Sequence, residues 1–466
     1  MDLSVIDRLP LKPWQFEHAR NLAQALAVDG CCADTSDLGT GKTFTALAVA
    51  RALGVTPLII CPLGTRGQWG DAASIMGVPA EIVHYERAKG RRRKVGEDKD
   101  GRPINLSETE WFEEKKWGTG SFMELKRKFA LVVFDEGHRC GGMTSMESKM
   151  LIGAKRKGSR VLIMSATLLE STLDMKAAGY ALDLHKLNKK RDNFINWAMK
   201  HGCTPGVFGG LDWTQDPRKQ KLAIDKVKSE LDGRLYRMDR DLIPGFPKTL
   251  IEPYLITTDH ADAQTVAGRL QHLNQMISEY ADQAERAKQR QNWLEESLRL
   301  RQALELMKLG SIRDLSIDAM QNGSAVVIAL NFTKSIDEMF DAMKRVDCSV
   351  DVYDGRCNET QKTEVKRKFT NDELDVFIVQ ATAGAEGLNL QHPTVPREVF
   401  YSPGLSGKKA KQFFGRVWRV GGAFSRQRIL ALRGTAEEGY YKRLKTKLDG
   451  IDNFNDLTLE DSDFTV

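Results

Sequence analysis

The eight residues Ser36-Asp-Leu-Gly-Thr-Gly-Lys-Thr43, here called the glycine loop, constrain the fold of this chain more than any other stretch. They precede the helix-like run 44–53, and a glycine-rich loop that enters a helix N-terminus directs backbone N–H groups towards a bound phosphate. Lys42 adds a cation and Thr43 adds a hydroxyl for Mg²⁺. The usual pattern begins with a glycine where this chain has Ser36, a small residue that still fits the turn. The stretch therefore predicts a nucleotide phosphate site, and a chance glycine-rich turn is the alternative.

Length and composition limit the class of protein. The chain has 466 residues, 41% of them apolar, which is enough for two ordinary domains or three small ones. No apolar run approaches the ~20 residues that span a bilayer, and residues 1–10 lack the apolar core of a secretory signal. The seven irregularly spaced cysteines indicate reduced thiols and suggest no zinc site. We therefore expect a cytoplasmic or nucleoid protein without membrane contact.

Short apolar runs that end in polar residues occur in two groups. Helix-like segments alternate with these runs, which predicts an α/β fold with a parallel sheet in each half of the chain. We place an N-terminal domain at 1–245, with mostly helical residues at about 168–228, and a C-terminal domain at 246–466, with long helices at about 259–320. The second domain has no glycine loop of its own. The predicted strands are 57–62, 83–87, 129–134, 160–164, 325–330, 350–353, 375–379 and 398–401.

The stretch 89–120 is dense in charge and includes Arg91-Arg-Arg-Lys94 together with the aromatic residues Trp111, Phe112 and Trp117. It is most simply interpreted as an inserted surface loop. The formal net charge of +6 by itself only hints at a polyanionic partner. Contact with a phosphate backbone and plain solvation are both open for this stretch.

Asp135 and Glu136 follow the apolar run 129–134. Phosphate cleavage needs a carboxylate that helps to hold Mg²⁺, a group that orients the attacking water, and cations on the γ-phosphate. Asp135 can hold the metal through water, and Glu136 can act as general base. An acidic turn is the alternative. The side chains of His138, Ser165 and Thr167 are candidates for coupling this site to the other domain.

Arg416 and Arg419 lie three residues apart in Gln412-Phe-Phe-Gly-Arg-Val-Trp-Arg419, so we expect them on one helical face. If the second domain closes over the first, both can reach the γ-phosphate as arginine fingers, and hydrolysis would depend on that closure. A basic surface helix is the alternative, because several lysines precede these residues.

Gln15 lies 27 positions before Lys42 in the helix-like segment 11–27. Its amide can donate and accept hydrogen bonds at once, as recognition of adenine requires. Taken alone, this residue is more simply interpreted as a surface glutamine on an amphipathic helix.

In this order the residues resemble the motor core of superfamily 2 helicases, and within it the Swi/Snf-related DNA translocase branch, from about Leu11 to Tyr441. Further segments carry the resemblance. The segment Arg237-Met-Asp-Arg-Asp-Leu-Ile-Pro-Gly-Phe-Pro247 is similar to the basic brace before the second motor domain. Later motifs of the family are similar to the segments 326–332, 353–355 with Phe369, 380–390 and 412–421.

The resemblance implies two tandem RecA-like domains that bind ATP and Mg²⁺ between them and hold duplex or branched DNA by its backbone. We expect a monomer. Implied ATP contacts are Gln15, Asp37, Leu38, Gly39, Thr40, Gly41, Lys42, Thr43, Glu386 and Gly387, and Gln412 joins the coupling residues. Implied DNA contacts are Pro62, Gly64, Arg66, Tyr85, Asn331, Phe332 and Thr382.

The chain departs from the family at Gly422, where glutamine is common, and at Ser36, and it shows no chromatin-reading appendage. A compact form with an insertion after 83–87 is more like prokaryotic or phage members that process forks or junctions, so we expect a role in replication, recombination or repair. The alternatives are an RNA helicase, which the forms Asp-Glu-Gly-His and Gln-Phe-Phe-Gly-Arg disfavour, and a nucleotide-switched DNA clamp with little turnover, which Glu136 and the two arginines disfavour.

Overall fold

The structure is a computed structural model, and it divides the chain into two compact units, Met1–Pro244 and a second that begins at Gly245. The described residues are 1–97, 103–117, 120–142, 144–166, 168, 171–187, 193–206, 210–214, 216–257, 262–279, 283–384, 388–404, 407–435 and 437–438.

The described part of the first unit is built on a six-stranded parallel sheet. Numbered along the chain, its strands are β1 (Cys31–Asp34), β2 (Leu58–Cys61), β3 (Glu81–His84), β8 (Leu131–Asp135), β9 (Arg160–Met164) and β12 (Leu235–Tyr236). The strand order is β12-β1-β9-β8-β2-β3. Strands β1, β2 and β8 are buried along their whole length, as expected for a parallel sheet that is covered on both faces.

Helices cover both faces of this sheet. Alternate strand residues enter opposite cores: Val132 and Phe134 pack with α5, α6 and α7, whereas Leu131 and Val133 pack with α1, α2 and α3. The helices of this unit are α1 (Pro13–Val28), α2 (Lys42–Leu53), α3 (Arg66–Met76), α4 (Tyr85–Lys89), α5 (Met146–Arg156), α6 (Met175–Ala181), α7 (Phe194–Lys200) and α8 (Pro217–Glu230).

The interpretation of 89–120 as a surface loop is wrong, because this stretch forms antiparallel hairpins. Trp111 and Phe112 are buried in the core, so the insertion packs on the unit rather than extending into solvent. Gly153 lets α5 approach the hairpins closely, because a Cβ at this position would lie 2.3 Å from the carbonyl oxygen of Met123. The hairpins pair β4 (Arg92–Glu97) with β5 (Pro103–Ser107), and β6 (Phe112–Trp117) with β7 (Gly120–Leu125).

The mostly helical stretch at about 168–228 contains α6, α7 and α8, as expected, and also a two-stranded ribbon. The ribbon pairs β10 (Cys203–Pro205) with β11 (Leu211–Trp213). Helix α8 begins with Pro217 at its first position, where the fixed backbone angle of proline suits a helix start.

The described part of the second unit has its own six-stranded parallel sheet, in the order β13-β18-β17-β14-β16-β15. Strand β14 is fully buried. The strands are β13 (Thr249–Ile256), β14 (Ala325–Leu330), β15 (Val350–Tyr353), β16 (Val376–Gln380), β17 (Arg397–Tyr401) and β18 (Ser425–Leu432). The helices are α9 (Asp262–Glu279), α10 (Gln283–Met307), α11 (Leu309–Gln321), α12 (Thr333–Met343), α13 (Glu359–Thr370), α14 (Ala381–Gly384) and α15 (Gly407–Val417).

Two parallel-sheet α/β units with inserted helices confirm the predicted fold class of tandem RecA-like domains. Within the described ranges, no helix combines the length and the apolar character that crossing a membrane would require.

Candidate nucleotide and nucleic-acid sites

The glycine loop leaves the carboxyl end of β1 and enters α2, whose first residue is Lys42. Gly39 and Gly41 have φ angles of +83° and +90°, in the left-handed region that favours glycine. A Cβ at position 41 would also lie 2.2 Å from Nε2 of Gln15. The turn therefore requires glycine at position 41 for its conformation, and a side chain there would displace the Gln15 amide from the loop.

Gln15 holds the glycine loop from the side of α1. Its Nε2 donates to the carbonyl oxygens of Thr40 and Gly41 at 3.1 and 3.0 Å, and its Oε1 accepts from the backbone N–H of Lys12 at 2.8 Å. Because the side chain is buried, the interpretation as a surface glutamine is wrong. Both amide hydrogens are directed at the loop, so recognition of adenine by Gln15 stays a prediction that would require an exchange of these bonds.

Backbone carbonyl groups hold the Lys42 ammonium group against the glycine loop. Its Nζ donates to the carbonyl oxygens of Ser36 and Asp37 at 2.7 and 3.0 Å. Burial lowers the pKa of Lys42, and nearby carboxylates, foremost Asp34 and Glu136, oppose that shift. Carbonyl oxygens are neutral partners, which an anionic phosphate could replace without leaving a buried charge unpaired.

The glycine loop is also held by contacts near the end of β1 and by residues that directly follow β12. His18 Nε2 lies 3.2 Å from Asp34 Oδ1, and the Ser36 hydroxyl accepts from the backbone N–H of Met238 at 2.7 Å. The Arg237 guanidinium contacts both carboxylate oxygens of Asp37, at 3.1 and 3.2 Å. Asp37, predicted as an ATP contact, is thus engaged by residues about 200 positions away. Sequence reasoning missed this role of Arg237 because no local pattern reports such a distant pair.

Asp135 and Glu136 lie at the carboxyl end of β8, two strands away from β1. Oδ2 of Asp135 accepts from the indole N–H of Trp69 at 2.8 Å, which orients the carboxylate. Glu136 has φ of +51°, an unusual conformation for a residue other than glycine. Gly137 follows, and a Cβ there would lie 2.4 Å from Cγ2 of Ile163. Strained backbone of this kind clusters at functional sites, which favours a chemical role over a plain acidic turn.

The coupling candidates His138 and Ser165 come together beside this turn. His138 Nδ1 lies 3.1 Å from the Ser165 hydroxyl and 3.5 Å from Oε2 of Glu136. The backbone N–H of Ser165 donates to the carbonyl oxygen of Asp34, next to the glycine loop. Thr167 lies outside the described residues.

The four DNA-contact candidates of the first unit follow β2 and β3. Gly64 and Arg66 are exposed, whereas Pro62 is buried. Tyr85 begins α4 instead of lying within the strand predicted over 83–87, and its buried hydroxyl donates to the carbonyl oxygen of Asp135 at 2.9 Å. The Tyr85 side chain is therefore placed to support the Asp135 turn and is not on the surface for a nucleic-acid contact.

In the second unit, the DNA-contact candidates Asn331, Phe332 and Thr382 line one pocket of 360 Å³ at the carboxyl edge of the sheet. Asn331 Nδ2 donates to Oε2 of Glu305 at 2.8 Å and to the carbonyl oxygen of Ser402 at 3.0 Å. The backbone N–H of Phe332 donates to Oε1 of Glu305 at 3.1 Å. The predicted contacts are thus brought together, and the Asn331 amide is used within the unit.

Below this pocket, Lys308 is fully buried and pairs with Glu437, with Nζ 2.8 Å from Oε1. The same Nζ donates to the Ser402 hydroxyl at 3.1 Å. Sequence reasoning missed this pair, since a lysine within a charged helical stretch gives no sign that it is buried.

The expectation that Arg416 and Arg419 share one helical face is wrong. Helix α15 ends at Val417, so Arg416 lies on it and Arg419 follows it. Arg416 is buried, whereas Arg419 is partly exposed and donates through Nε to the carbonyl oxygen of Gly415 at 2.8 Å. The Arg419 guanidinium also donates to the side chain of Asn389.

The remaining candidates of the second unit are Gln412, Glu386 and Gly387. Gln412 is buried on α15. The predicted ATP contacts Glu386 and Gly387 lie outside the described residues.

The sequence is similar to helicases. The model of the helicase conserved C-terminal domain matches residues 307–421. The putative ATP-dependent RNA helicase L364 of Acanthamoeba polyphaga mimivirus is 26% identical over 475 residues, which cover 98% of this chain and 85% of that protein. The chromodomain-helicase-DNA-binding protein 1-like of Danio rerio is 19% identical over 489 residues, which cover 98% of this chain and 44% of that protein.

Two solved structures are similar over most of their length. The Sulfolobus solfataricus SWI2/SNF2 ATPase core in complex with dsDNA has 17% sequence identity and a TM-score of 0.37, and the match covers 97% of this chain and 96% of that one. The Pyrococcus furiosus Hef helicase domain has 14% identity and a TM-score of 0.45, and the match covers 88% and 94%.

Proposed function

Since this chain is an ATP-hydrolysing helicase-type enzyme of superfamily 2, we propose that it is a DNA-stimulated motor that moves along duplex or branched DNA. One observation carries the proposal. The glycine loop with Lys42 and the strained Asp135–Glu136 turn lie at the carboxyl edge of one parallel sheet, where open α/β sheets bind their ligands.

The residues of this edge fit ATP with Mg²⁺. Lys42 would hold the phosphates, and Thr43 and Asp135 would hold the metal ion, which neutralises charge on the reacting phosphate when it is bound. Glu136 would take a proton from the attacking water. Arg416 and Arg419 of the second unit would supply the further cations that phosphoryl transfer requires.

The proposed substrate is DNA, gripped by its backbone, which suits a motor that works without regard to base sequence. The brace-like segment 237–247 and the forms Asp-Glu-Gly-His at 135–138 and Gln-Phe-Phe-Gly-Arg at 412–416 support the DNA translocase branch. The name of the Danio rerio relative also refers to DNA binding. We propose that the protein acts as a monomer in the cytoplasm or nucleoid, during fork or junction processing in replication, recombination or repair.

The name of the mimivirus relative favours RNA as a second candidate substrate. The chemistry at the glycine loop would be the same on either polymer. Only the response of hydrolysis to the added nucleic acid separates the two candidates.

The test is the steady-state ATPase rate without nucleic acid and with single-stranded DNA, duplex, a four-way junction or RNA, at stated salt concentrations. Strong stimulation by duplex or junction DNA is expected. Stimulation by RNA alone would replace the DNA proposal with an RNA helicase.

The matched control is Glu136→Gln, which should remove turnover and leave DNA binding in place. Turnover that persists in this variant would contradict the assigned general base. A wild-type rate that is negligible with every nucleic acid, together with nucleotide-dependent DNA binding, would indicate a clamp rather than a motor.

A further inference from the structure

The hairpins of the first unit form one side of a cleft of 670 Å³, which we call the hairpin cleft. Its walls come from β5, β6 and β7, and its floor comes from α5 and α6. Neither the family resemblance nor the proposed function assigns a role to this cleft. It lies within one unit, so its geometry does not depend on the position of the other.

The residues that line the hairpin cleft are strongly biased in charge. Five are basic, and a single carboxylate accompanies them among the described lining residues. The basic residues are Arg92, Lys116, Lys149, Arg156 and Lys176, and the carboxylate is Glu114.

Both carboxylate oxygens of Glu114 accept hydrogen bonds from residues of the cleft wall. Its Oε2 accepts from Nε of Arg92 at 2.8 Å and from the backbone N–H of Ser107 at 3.2 Å, and Ser121 donates to its other oxygen. Burial alone would raise the pKa of Glu114, but the bonds from Arg92 and Ser121 lower it overall. Glu114 therefore stays ionised and fixes Arg92, and the described lining as a whole carries five basic side chains and one carboxylate.

Lys149 on α5 and Lys176 on α6 both line the cleft. Burial and the charge of Lys149 both lower the pKa of Lys176. Lys149 reaches the Ser121 hydroxyl at 2.8 Å and lies 3.8 Å from the Glu114 carboxylate, so it is held at the cleft wall. An anion bound in the cleft would be attracted by both ammonium groups.

The apolar part of the lining points to a larger ligand than a simple anion. Ile104, Leu106, Phe122 and Ile152 line the same cleft. Single nucleic-acid strands bind in positively charged grooves with aromatic and apolar surface for the bases. A volume of 670 Å³ falls within the range of about 300–1,000 Å³ of ordinary ligand pockets, so the cleft has room for nucleotides of a single strand.

The position of the cleft along the chain connects it to the motor. The insertion begins directly after α4, and the first residue of that helix, Tyr85, donates to the carbonyl oxygen of Asp135 in the candidate nucleotide site. We propose that the hairpin cleft binds the phosphate backbone of a single nucleic-acid strand. This inference rests on the proposed function, in which branched DNA would supply such a strand.

The test measures binding of a fluorescent single-stranded oligonucleotide and of a blunt duplex by anisotropy, at several salt concentrations. The cleft variant is Lys149→Gln/Lys176→Gln, and the charge-matched control is Lys219→Gln/Lys221→Gln, which changes two exposed lysines on α8. Lys116→Glu is a second cleft variant at an exposed position, where loss of folding is not expected.

In the double cleft variant, affinity for the single strand should fall about tenfold at low salt. The slope of log K against log[salt] should become less steep by about 1.4, since each lost contact to a single strand contributes about 0.7. Lys116→Glu should weaken the same binding, and the control variant should bind like the wild type.

Wild-type affinity and slope in both cleft variants would overturn the proposal, and so would an equal loss in the α8 control. These outcomes are separate from the failure of the proposed function, which is read from the ATPase response of the wild type to added DNA.

Discussion

The two units place a lysine at the same edge of similar sheets, yet the surroundings of the two lysines differ. In the first unit, Lys42 bonds to the carbonyl oxygens of Ser36 and Asp37. In the second, Lys308 bonds to the carboxylate of Glu437 and has no exposed surface. A lysine held by neutral carbonyls can exchange partners with a ligand, whereas one paired with a buried carboxylate leaves an uncompensated charge if it moves.

The backbone near the two lysines also differs between the two units. The first edge contains the strained Glu136, whose backbone conformation is unfavourable to stability, together with glycines that adopt left-handed conformations without such strain. At the second edge, Glu305 accepts backbone and side-chain bonds from Asn331 and a backbone bond from Phe332. A buried polar network that is satisfied in this way makes its surroundings rigid. We infer that the first edge is built for binding and the second for support.

Lys42→Ala should give the largest effect, on rate rather than on stability. Hydrolysis should fall below detection because the phosphates lose their cation. The free energy of unfolding should change by less than about 1 kcal/mol, since removal of a partly buried charge offsets the lost bonds to carbonyls. ATPase assays and chemical denaturation measure the two effects.

The control for Lys42→Ala is Arg51→Ala, at an exposed position of the same helix. A large loss of stability in Lys42→Ala, with Arg51→Ala unchanged, would show that the first edge is also structural and would break the comparison.

Arg419→Ala tests whether the second unit also takes part in the chemistry. An arginine finger contributes about 10³–10⁵ to kcat, so turnover should fall by a factor in that range while ATP binding stays largely intact. The exposed Arg433→Ala in the same unit is the control. Normal hydrolysis by Arg419→Ala with DNA present would contradict the arginine-finger proposal and would limit the second unit to support.

Lys308→Met should act on stability. Removal of one partner of a buried pair costs about 3–5 kcal/mol, because the Glu437 carboxylate is left buried and unpaired. Lys308→Met/Glu437→Gln should recover much of this loss, since the glutamine oxygen can still accept from the backbone N–H of Leu432. Denaturation curves that show no loss in the single variant would mean that this pair does not support the second edge.

Some strands could be predicted from local sequence alone. Arg160–Met164 and Ala325–Leu330 have the predicted bounds, because continuous apolar runs are typical of strands that are buried on both faces. Strand β1, Cys31–Asp34, was not predicted. Its residues have little preference for strands, and its burial comes from β9 and β12, which are distant in the chain.

The candidate site shows the same limit. Lys42, Asp135 and Glu136 stand out because each lies in a short pattern at the end of a strand. The Arg237–Asp37 contact and the Lys308–Glu437 pair join residues far apart in sequence, so no local pattern could report them. The charges of the insertion at 89–120 predict a surface loop, because they conceal the buried residues Trp111 and Phe112.

The smallest expected effect concerns the pH dependence of the first edge, through Asp34 beneath the glycine loop. Burial alone would raise the pKa of Asp34, but the interactions with His18, Lys42 and Ser36 lower it below its usual value. A carboxyl group with a lowered pKa in the folded state contributes stability above its unfolded pKa of about 3.9, and this contribution is lost as the pH falls through the folded value.

Asp34→Asn should therefore lose less free energy of unfolding than the wild type between about pH 5 and about pH 2. Denaturation at a series of pH values measures the difference, and the exposed Asp225→Asn should follow the wild type. If Asp34→Asn has the same pH dependence as the wild type, the contacts of Asp34 do not stabilise the folded state. The glycine loop would then lie above no stabilising ion pair. The first edge would differ still more from the second edge, which contains the Lys308–Glu437 pair.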